Sequence, residues 1–267
     1  VPVREAIEGR PAACQGRCTI TNKDPAMTTD LLDRSLGDLA RSIPGATALF
    51  HQHQLDFCCG GKQTLRHAVG DAGPALQQLL ADLARLQDEP AGAERDWRQA
   101  TSDELITHIL QRFHERHRLQ LPELVRLSRR VEMVHADRAE CPHGLADHLE
   151  TMLQDLSSHM QKEEQVLFPL LRLGFPPMAQ GPITVMRMEH DDHGVALARM
   201  AELAHGLVMP AGACNTWRAL VNGLQTLRDD LMEHIHLENN VLFEGLTQTA
   251  PVACAGGGGG CGCGGRG

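Results

Sequence analysis

The sequence predicts an all-α protein: an antiparallel four-helix bundle preceded by a small helical domain. Three observations carry that prediction. From Thr101 to about Leu246, apolar residues recur at helical spacing in four long stretches. Short to medium loops join them, which favours up-and-down neighbours. The two halves of this region also repeat one another, histidine for histidine, as a duplicated helical hairpin would.

The elements follow in order. Residues 1–27 show no period, and the chain opens on Val1, whereas Met27 precedes a regular apolar pattern. The expectation is a start at Met27, with the upstream piece disordered or a mis-assigned start. Residues 28–95 read as a small helical domain. Leu36, Leu39, Ala40 and Ile43 have helical spacing before Pro44. A second segment, 45–54, leads into Asp56-Phe57-Cys58-Cys59-Gly60-Gly61, and helices resume at Lys62 and near Pro74. The polar stretch from Glu89 to Asp96, with Pro90 and Gly92, reads as a linker. Residues 96–249 form the bundle. Thr101-Ser-Asp-Glu104 is a capping box that opens the first helix, which runs to about Val134 with a kink at Pro122. The second spans about Gly144 to Leu173, the third Pro182 to Val208, and the fourth Asn215 to near Leu246. Residues 250–267, with the run Gly256 to Gly260 and then Cys261-Gly-Cys263, read as a disordered tail.

Composition narrows the function. Asp and Glu outnumber Lys and Arg 34 to 25, a net charge of −9, which argues against binding nucleic acid. No apolar run reaches roughly twenty residues, so no membrane span is expected, and with no signal peptide at the start the expected location is cytoplasmic. The nine cysteines are odd in number and irregularly spaced, so they read as thiols. Histidine is abundant, 15 residues, while Tyr is absent, which excludes a tyrosyl-radical role.

The chemistry lies in the repeat. His159-Met-Gln-Lys-Glu163-Glu-Gln-Val166-Leu167-Phe168 and His234-Ile-His-Leu-Glu238-Asn-Asn-Val241-Leu242-Phe243 share the pattern His-x-x-x-Glu-x-x-Val-Leu-Phe, with histidines 75 residues apart. His114-Glu-Arg-His117 and His190-Asp-Asp-His193 repeat at 76. A spacing of four sets His and Glu on one helical face. That face holds Met152, Leu156, Val166 and Leu170 on the second helix, and Leu220, Leu227, Leu231 and Val241 on the fourth. A carboxylate inside an apolar stripe is costly unless a cation compensates it. His190 likewise shares a face with Ile183, Met186, Leu197, Ala201 and Val208. Four imidazoles and two carboxylates, without thiolate, suit iron or manganese better than structural zinc. Two iron ions would each take two imidazoles and a share of both glutamates, with an oxo or hydroxo group completing the bridge. Helical periodicity does not choose between His114 and His117, nor between His190 and His193. Glu115 and Glu164 read as solvent-facing, and His236 as surface.

These motifs, with Phe57-Cys-Cys-Gly-Gly-Lys-Gln-Thr-Leu65, Leu121-Pro-Glu-Leu124 and Met188-Glu-His190-Asp, resemble the repair-of-iron-centres family, the YtfE/ScdA-type iron–sulfur cluster repair di-iron proteins. The bundle resembles the wider hemerythrin-like group. The resemblance implies six metal ligands: His114, His159, Glu163, His190, His234 and Glu238, with the two glutamates bridging. It implies that His117 and His193 stand behind the ligands or line a channel, and that Glu189 is a nearby acid. It also implies a function, repair of clusters damaged by nitric oxide or oxidative stress, by donation of iron from a labile centre. The alternatives are reduction of nitric oxide at that centre, or hemerythrin-like dioxygen binding. The partners are then damaged iron–sulfur proteins, with nitric oxide or dioxygen as small ligands. Cys58 and Cys59 are candidates for thiol transfer or redox work, because a helix starting near Lys62 would favour thiolate. A homodimer would let the site of one subunit meet Cys58 and Cys59 of another.

Overall fold

The computed structural model of the chain describes residues 30–53, 55–58, 60–70, 74–88, 96–174 and 176–248. The expectations for residues 1–27 and 250–267, nearly all of the linker, and the placement of Cys59 lie outside them. Every regular element among the described residues is a helix.

The N-terminal part contains α1 (Leu36–Ser42), α2 (Ala46–Gln52), α3 (Leu65–Val69) and α4 (Pro74–Asp88). Ser35 and Thr64 cap α1 and α3 by accepting from the backbone N–H of Asp38 and His67. Leu36, Leu39, Phe50, Phe57, Leu65, Leu79 and Leu83 form its core. The helix expected at Lys62 begins only at Leu65. Residues 60–63 instead make a turn, with Gln63 N–H donating to the Gly60 carbonyl at 3.0 Å. Gly61 is required there, because a Cβ would stand 2.6 Å from the Phe57 carbonyl oxygen. Cys58 therefore does not sit at a helix N-terminus. Its buried thiol donates to Asp56 Oδ1 at 3.3 Å.

Four rods build the bundle. The first joins α5 (Ser102–Ile109), a π turn (Leu110–His114) and α6 (Glu115–Val134). The Thr101–Glu104 capping box is present. Helix α6 continues through Pro122, and the rod's departure from α geometry falls at the π turn instead. The second rod is α7 (Leu145–Lys162), a π turn (Glu163–Leu167) and α8 (Phe168–Arg172). The third is α9 (Pro176–Leu203). It starts six residues before Pro182, which sits in its second turn and forgoes one backbone hydrogen bond, and it ends before the exposed Val208. The fourth is α10 (Asn215–His236), a π turn (Leu237–Leu242) and α11 (Phe243–Gln248).

Two apolar clusters fill the bundle. One holds Leu121, Leu149, Leu156, Leu197, Leu224 and Leu231; the other holds Ile106, Phe113, Phe168, Ile183, Met186 and Phe243. Along every rod, the candidate ligands fall between a segment of one cluster and a segment of the other. The site is thus a polar layer clamped between two apolar ones.

The N-terminal helices cover the fourth rod. Cys58 joins a bundle cluster, and Met232 of α10 packs against the N-terminal core. His236, read from the sequence as surface, is 3% exposed at this junction. Its ring meets Phe57 edge-on at 5.5 Å. Burial, with the positive charges of Arg41 and His51 adding to it, pushes this imidazole down to about 3. The face of α10 away from the ligands is a second buried face, which a wheel drawn for one core does not reveal. No helix among the described residues is long and apolar enough to cross a membrane.

Candidate metal centre

The six residues named from the sequence converge, and they do so as two sets. His114, Glu163, His234 and Glu238 place one donor atom each within 4.8 Å of one another; so do His159, Glu163, His190 and Glu238. Both glutamates belong to both sets, through different oxygens. Glu163 turns Oε2 to His114 Nε2 and Oε1 to His159 Nε2, each at 3.4 Å. Glu238 turns Oε1 to His234 Nε2 at 3.2 Å and Oε2 to His190 Nε2 at 3.0 Å. Each carboxylate thus spans two imidazole pairs, the arrangement of a two-atom bridge between two ions.

The donor atoms suit a cation. His114 Nε2 lies 3.2 Å from His234 Nε2, and His190 Nε2 lies 3.1 Å from His159 Nε2. Nitrogens so close can share a single proton or turn both lone pairs to one cation, and the carboxylate oxygens beside them favour positive charge there. Both Glu163 oxygens and Glu238 Oε2 are buried without a hydrogen bond. They stand at ion-pair distance from the rings but out of hydrogen-bond alignment. A buried carboxylate left in that condition is costly, and metal ions supply what these oxygens lack. The donor set fits two ions.

Among the protein groups alone, the charges sort themselves. Burial opposes protonation of His114, but the negative charges of Glu163 and Glu238 close to its ring outweigh it and raise its pKa. The same balance carries His159 to about 9. Burial and the neighbouring His114 charge hold His234 well below its usual value. Burial works against both carboxylates, yet the surrounding imidazoles keep them low, His159 and His114 at Glu163, His190 at Glu238.

The outward Nδ1 atoms have partners of their own. His159 Nδ1 donates to Glu189 Oε2 at 2.9 Å, and Lys162 pairs with the same carboxylate. His114 Nδ1 donates to Glu164 Oε1 at 2.8 Å, and Arg118 holds that oxygen at 2.7 Å. Glu164, read as solvent-facing, is therefore a partner of the site. His190 Nδ1 donates to Asn239 Oδ1 at 3.0 Å. His234 Nδ1 has no hydrogen bond, and Phe113 lies stacked on that ring at 5.3 Å. His117 and His193 are buried close by, at 5.4 Å from the His234 ring and 4.9 Å from the His159 ring, but neither joins a donor set. Burial pushes both down to about 3. Glu115 is exposed.

The repeat alone held the signal for Glu164 and Asn239. Each follows a glutamate shared by both donor sets, 75 positions apart, and each accepts from the histidine of a neighbouring rod.

Fold and site together define a cation-binding four-helix bundle of the hemerythrin kind. Residues 105–246 match the family model described as Hemerythrin HHE cation binding domain. Residues 32–87 match ScdA_N, described as a domain of unknown function, DUF542. Among curated proteins, iron–sulfur cluster repair protein YtfE of Pectobacterium carotovorum is 53% identical over 211 residues, covering 79% of this chain and 95% of the relative. The protein of that name from Musicola paradisiaca is 54% identical with the same coverage. That from Yersinia pseudotuberculosis is 52% identical over 214 residues, 80% of this chain and 96% of the relative. The chain belongs to the YtfE-type iron–sulfur cluster repair family.

Proposed function

We propose that this chain restores iron–sulfur clusters damaged by nitric oxide or oxidants, and that it does so by giving up iron from a labile two-ion centre. The observation that carries this reading is the pair of four-donor sets sharing Glu163 and Glu238. His114 and His234 would hold one iron and His159 and His190 the other, with Glu163 and Glu238 offering an oxygen to each. The relatives' printed name, iron–sulfur cluster repair protein, points the same way.

Two imidazoles and two carboxylate oxygens bind ferrous iron, but they grip it less firmly than thiolates would grip a soft metal. Bound there, iron supplies transferable metal and positions open to a small ligand. The protein's own part is to orient the donors. Glu189 and Glu164 fix the outward nitrogens of His159 and His114, which turns Nε2 inward. The two apolar clusters keep water from the layer between them. Cys58 and Cys59 pass the metal or electrons to a damaged partner protein. Cys58 stands beside the centre of its own chain, so this reading needs no second subunit.

The test measures iron transfer and nitrous oxide in one anaerobic reaction. Protein loaded with ferrous iron is mixed with a nitric-oxide-damaged iron–sulfur enzyme. Iron should move to the enzyme as activity returns. The Cys58→Ala, Cys59→Ala double variant should bind as much iron but reactivate slowly. Many turnovers of nitrous oxide with no iron lost would instead establish nitric oxide reduction as the activity.

A further inference from the structure

One side chain joins the candidate centre to the cysteine loop. Asn239 lies in the π turn of the fourth rod, directly after the bridging Glu238. Its Oδ1 accepts from His190 Nδ1 at 3.0 Å, and its Nδ2 donates to the backbone carbonyl of Cys58 at 3.3 Å. Asn239 is buried, 6% exposed. The amide cannot be turned over, since its oxygen would then face a carbonyl oxygen. The Cys58 carbonyl thus orients the amide. The amide keeps a proton on His190 Nδ1, and that leaves the Nε2 lone pair for a metal.

The internal repeat shows that this is a specific choice. The equivalent of Asn239 in the first half is Glu164, which accepts from His114 Nδ1 in the same manner. Glu164 reaches outward to Arg118. A carboxylate suffices to orient an imidazole, but it cannot donate to a carbonyl. Of the two equivalent positions, only 239, under the N-terminal domain, carries an amide, which does both. The next residue reinforces the junction. Asn240 Nδ2 donates to the Phe57 carbonyl at 3.2 Å. Gly37 makes room for it, as a Cβ there would meet Asn240 Oδ1 at 2.7 Å.

We infer that Asn239 is a positioning residue that couples metal occupancy at the His159–His190 donor set to the closure of the Cys58 loop. A metal on His190 Nε2 polarises Nδ1–H, which strengthens its bond to Asn239 and in turn the bond from Asn239 to the Cys58 carbonyl. Loading the centre closes the loop over the thiol. By linkage, pulling the loop away weakens the hold on the metal by the same factor. A partner that engages the cysteine loop would thereby loosen the iron it is to receive. This deepens the iron-donation reading and rests on it.

The test is the alkylation rate of Cys58 in the full chain, with and without ferrous iron, read residue by residue by mass spectrometry. Exposed Cys214 serves as the internal reference. Metal content is measured on every sample. In the unaltered protein, loading should slow Cys58 about fivefold or more and leave Cys214 unchanged, a factor at the low end of ordinary coupling. Asn239→Asp keeps an acceptor for His190 but loses the donor to Cys58. It should retain its iron while Cys58 reacts fast whether loaded or not. Asn240→Ala frees the Phe57 carbonyl without touching His190. It should speed Cys58 in both states and preserve the ratio between them, which keeps the test decisive if Asn239→Asp folds poorly. An unaltered protein that binds two irons with no change at Cys58 overturns this inference alone. So does an Asn239→Asp protein protected by metal as fully as the original. A protein that binds no iron at all overturns the two-ion reading, and this inference with it.

Discussion

An imidazole that offers Nε2 to a metal is governed by whatever holds its Nδ1. Glu164 holds His114 in this way. Glu164→Ala is therefore expected to weaken ferrous binding about tenfold or more. Glu164→Gln, which keeps an oxygen acceptor, should recover most of it. Anaerobic calorimetric titration reads both, with Glu115→Ala as the silent control, and equal affinity in all of them would remove Glu164 from the site. His236 makes a separate prediction. Its folded pKa, about 3, lies below the ordinary value of 6.5. Between those two values the unfolded chain binds a proton that the folded chain refuses, so its contribution to stability is full above 6.5 and is lost as pH falls toward 3. In chelator-treated protein, His236→Gln should make the fall in stability between pH 6.5 and 4 shallower by about one proton. An unchanged slope would mean that the ring is not held neutral at the junction. At this scale the sequence was partly legible. A spacing of four sets His159 with Glu163 and His234 with Glu238 on single faces. His114 and His117 stay indistinguishable by spacing because both are buried, and they differ only in a partner that another rod supplies.

The elements carry a feature that no constant-period wheel shows. Three of the four rods widen into a π turn at a candidate ligand: at His114, at Glu163 and at Glu238. In each, the N–H five residues on closes the turn, Glu115 to Leu110, Phe168 to Glu163 and Phe243 to Glu238. Such turns are frequent at functional sites. The extra residue shifts the phase of everything after it. Val166, inward on a uniform wheel, is 48% exposed, while Leu167 is buried at 1%. Three rods were legible to within a turn from capping and periodicity, while the third was missed by six residues at its start and five at its end. The phase beyond each ligand was not legible, because a π turn looks like α periodicity until a side chain is found on the wrong face. Val166→Lys should accordingly change stability by no more than about 0.5 kcal/mol. Leu167→Lys should cost about 3 kcal/mol or more, as a charge is forced into an apolar cluster. Denaturant melts of the two variants separate the phases, and a reversed order would restore the uniform helix.

At the scale of the whole molecule, the two repeated halves differ at both positions that face an outward imidazole nitrogen. Phe113 corresponds to Glu189 and Glu164 to Asn239, and each exchange changes what holds an imidazole. The second half is also the half that the N-terminal helices cover. A bundle cut to residues 96–248 would leave His236, Asn239 and Met232 without that cover. It should melt roughly 5 °C or more below the full chain and hold ferrous iron less tightly. An identical melting temperature and affinity would show that the two parts are energetically independent. The central claim is that two imidazole pairs, spanned by two shared glutamates, hold two ions. Its most direct test is iron content per chain after anaerobic loading, for the original protein and for Glu238→Ala. The shared carboxylate predicts about two irons in the first and the loss of both together in the second, with helicity retained. One tightly held zinc, or a Glu238→Ala protein that keeps a single full-strength iron, would contradict it.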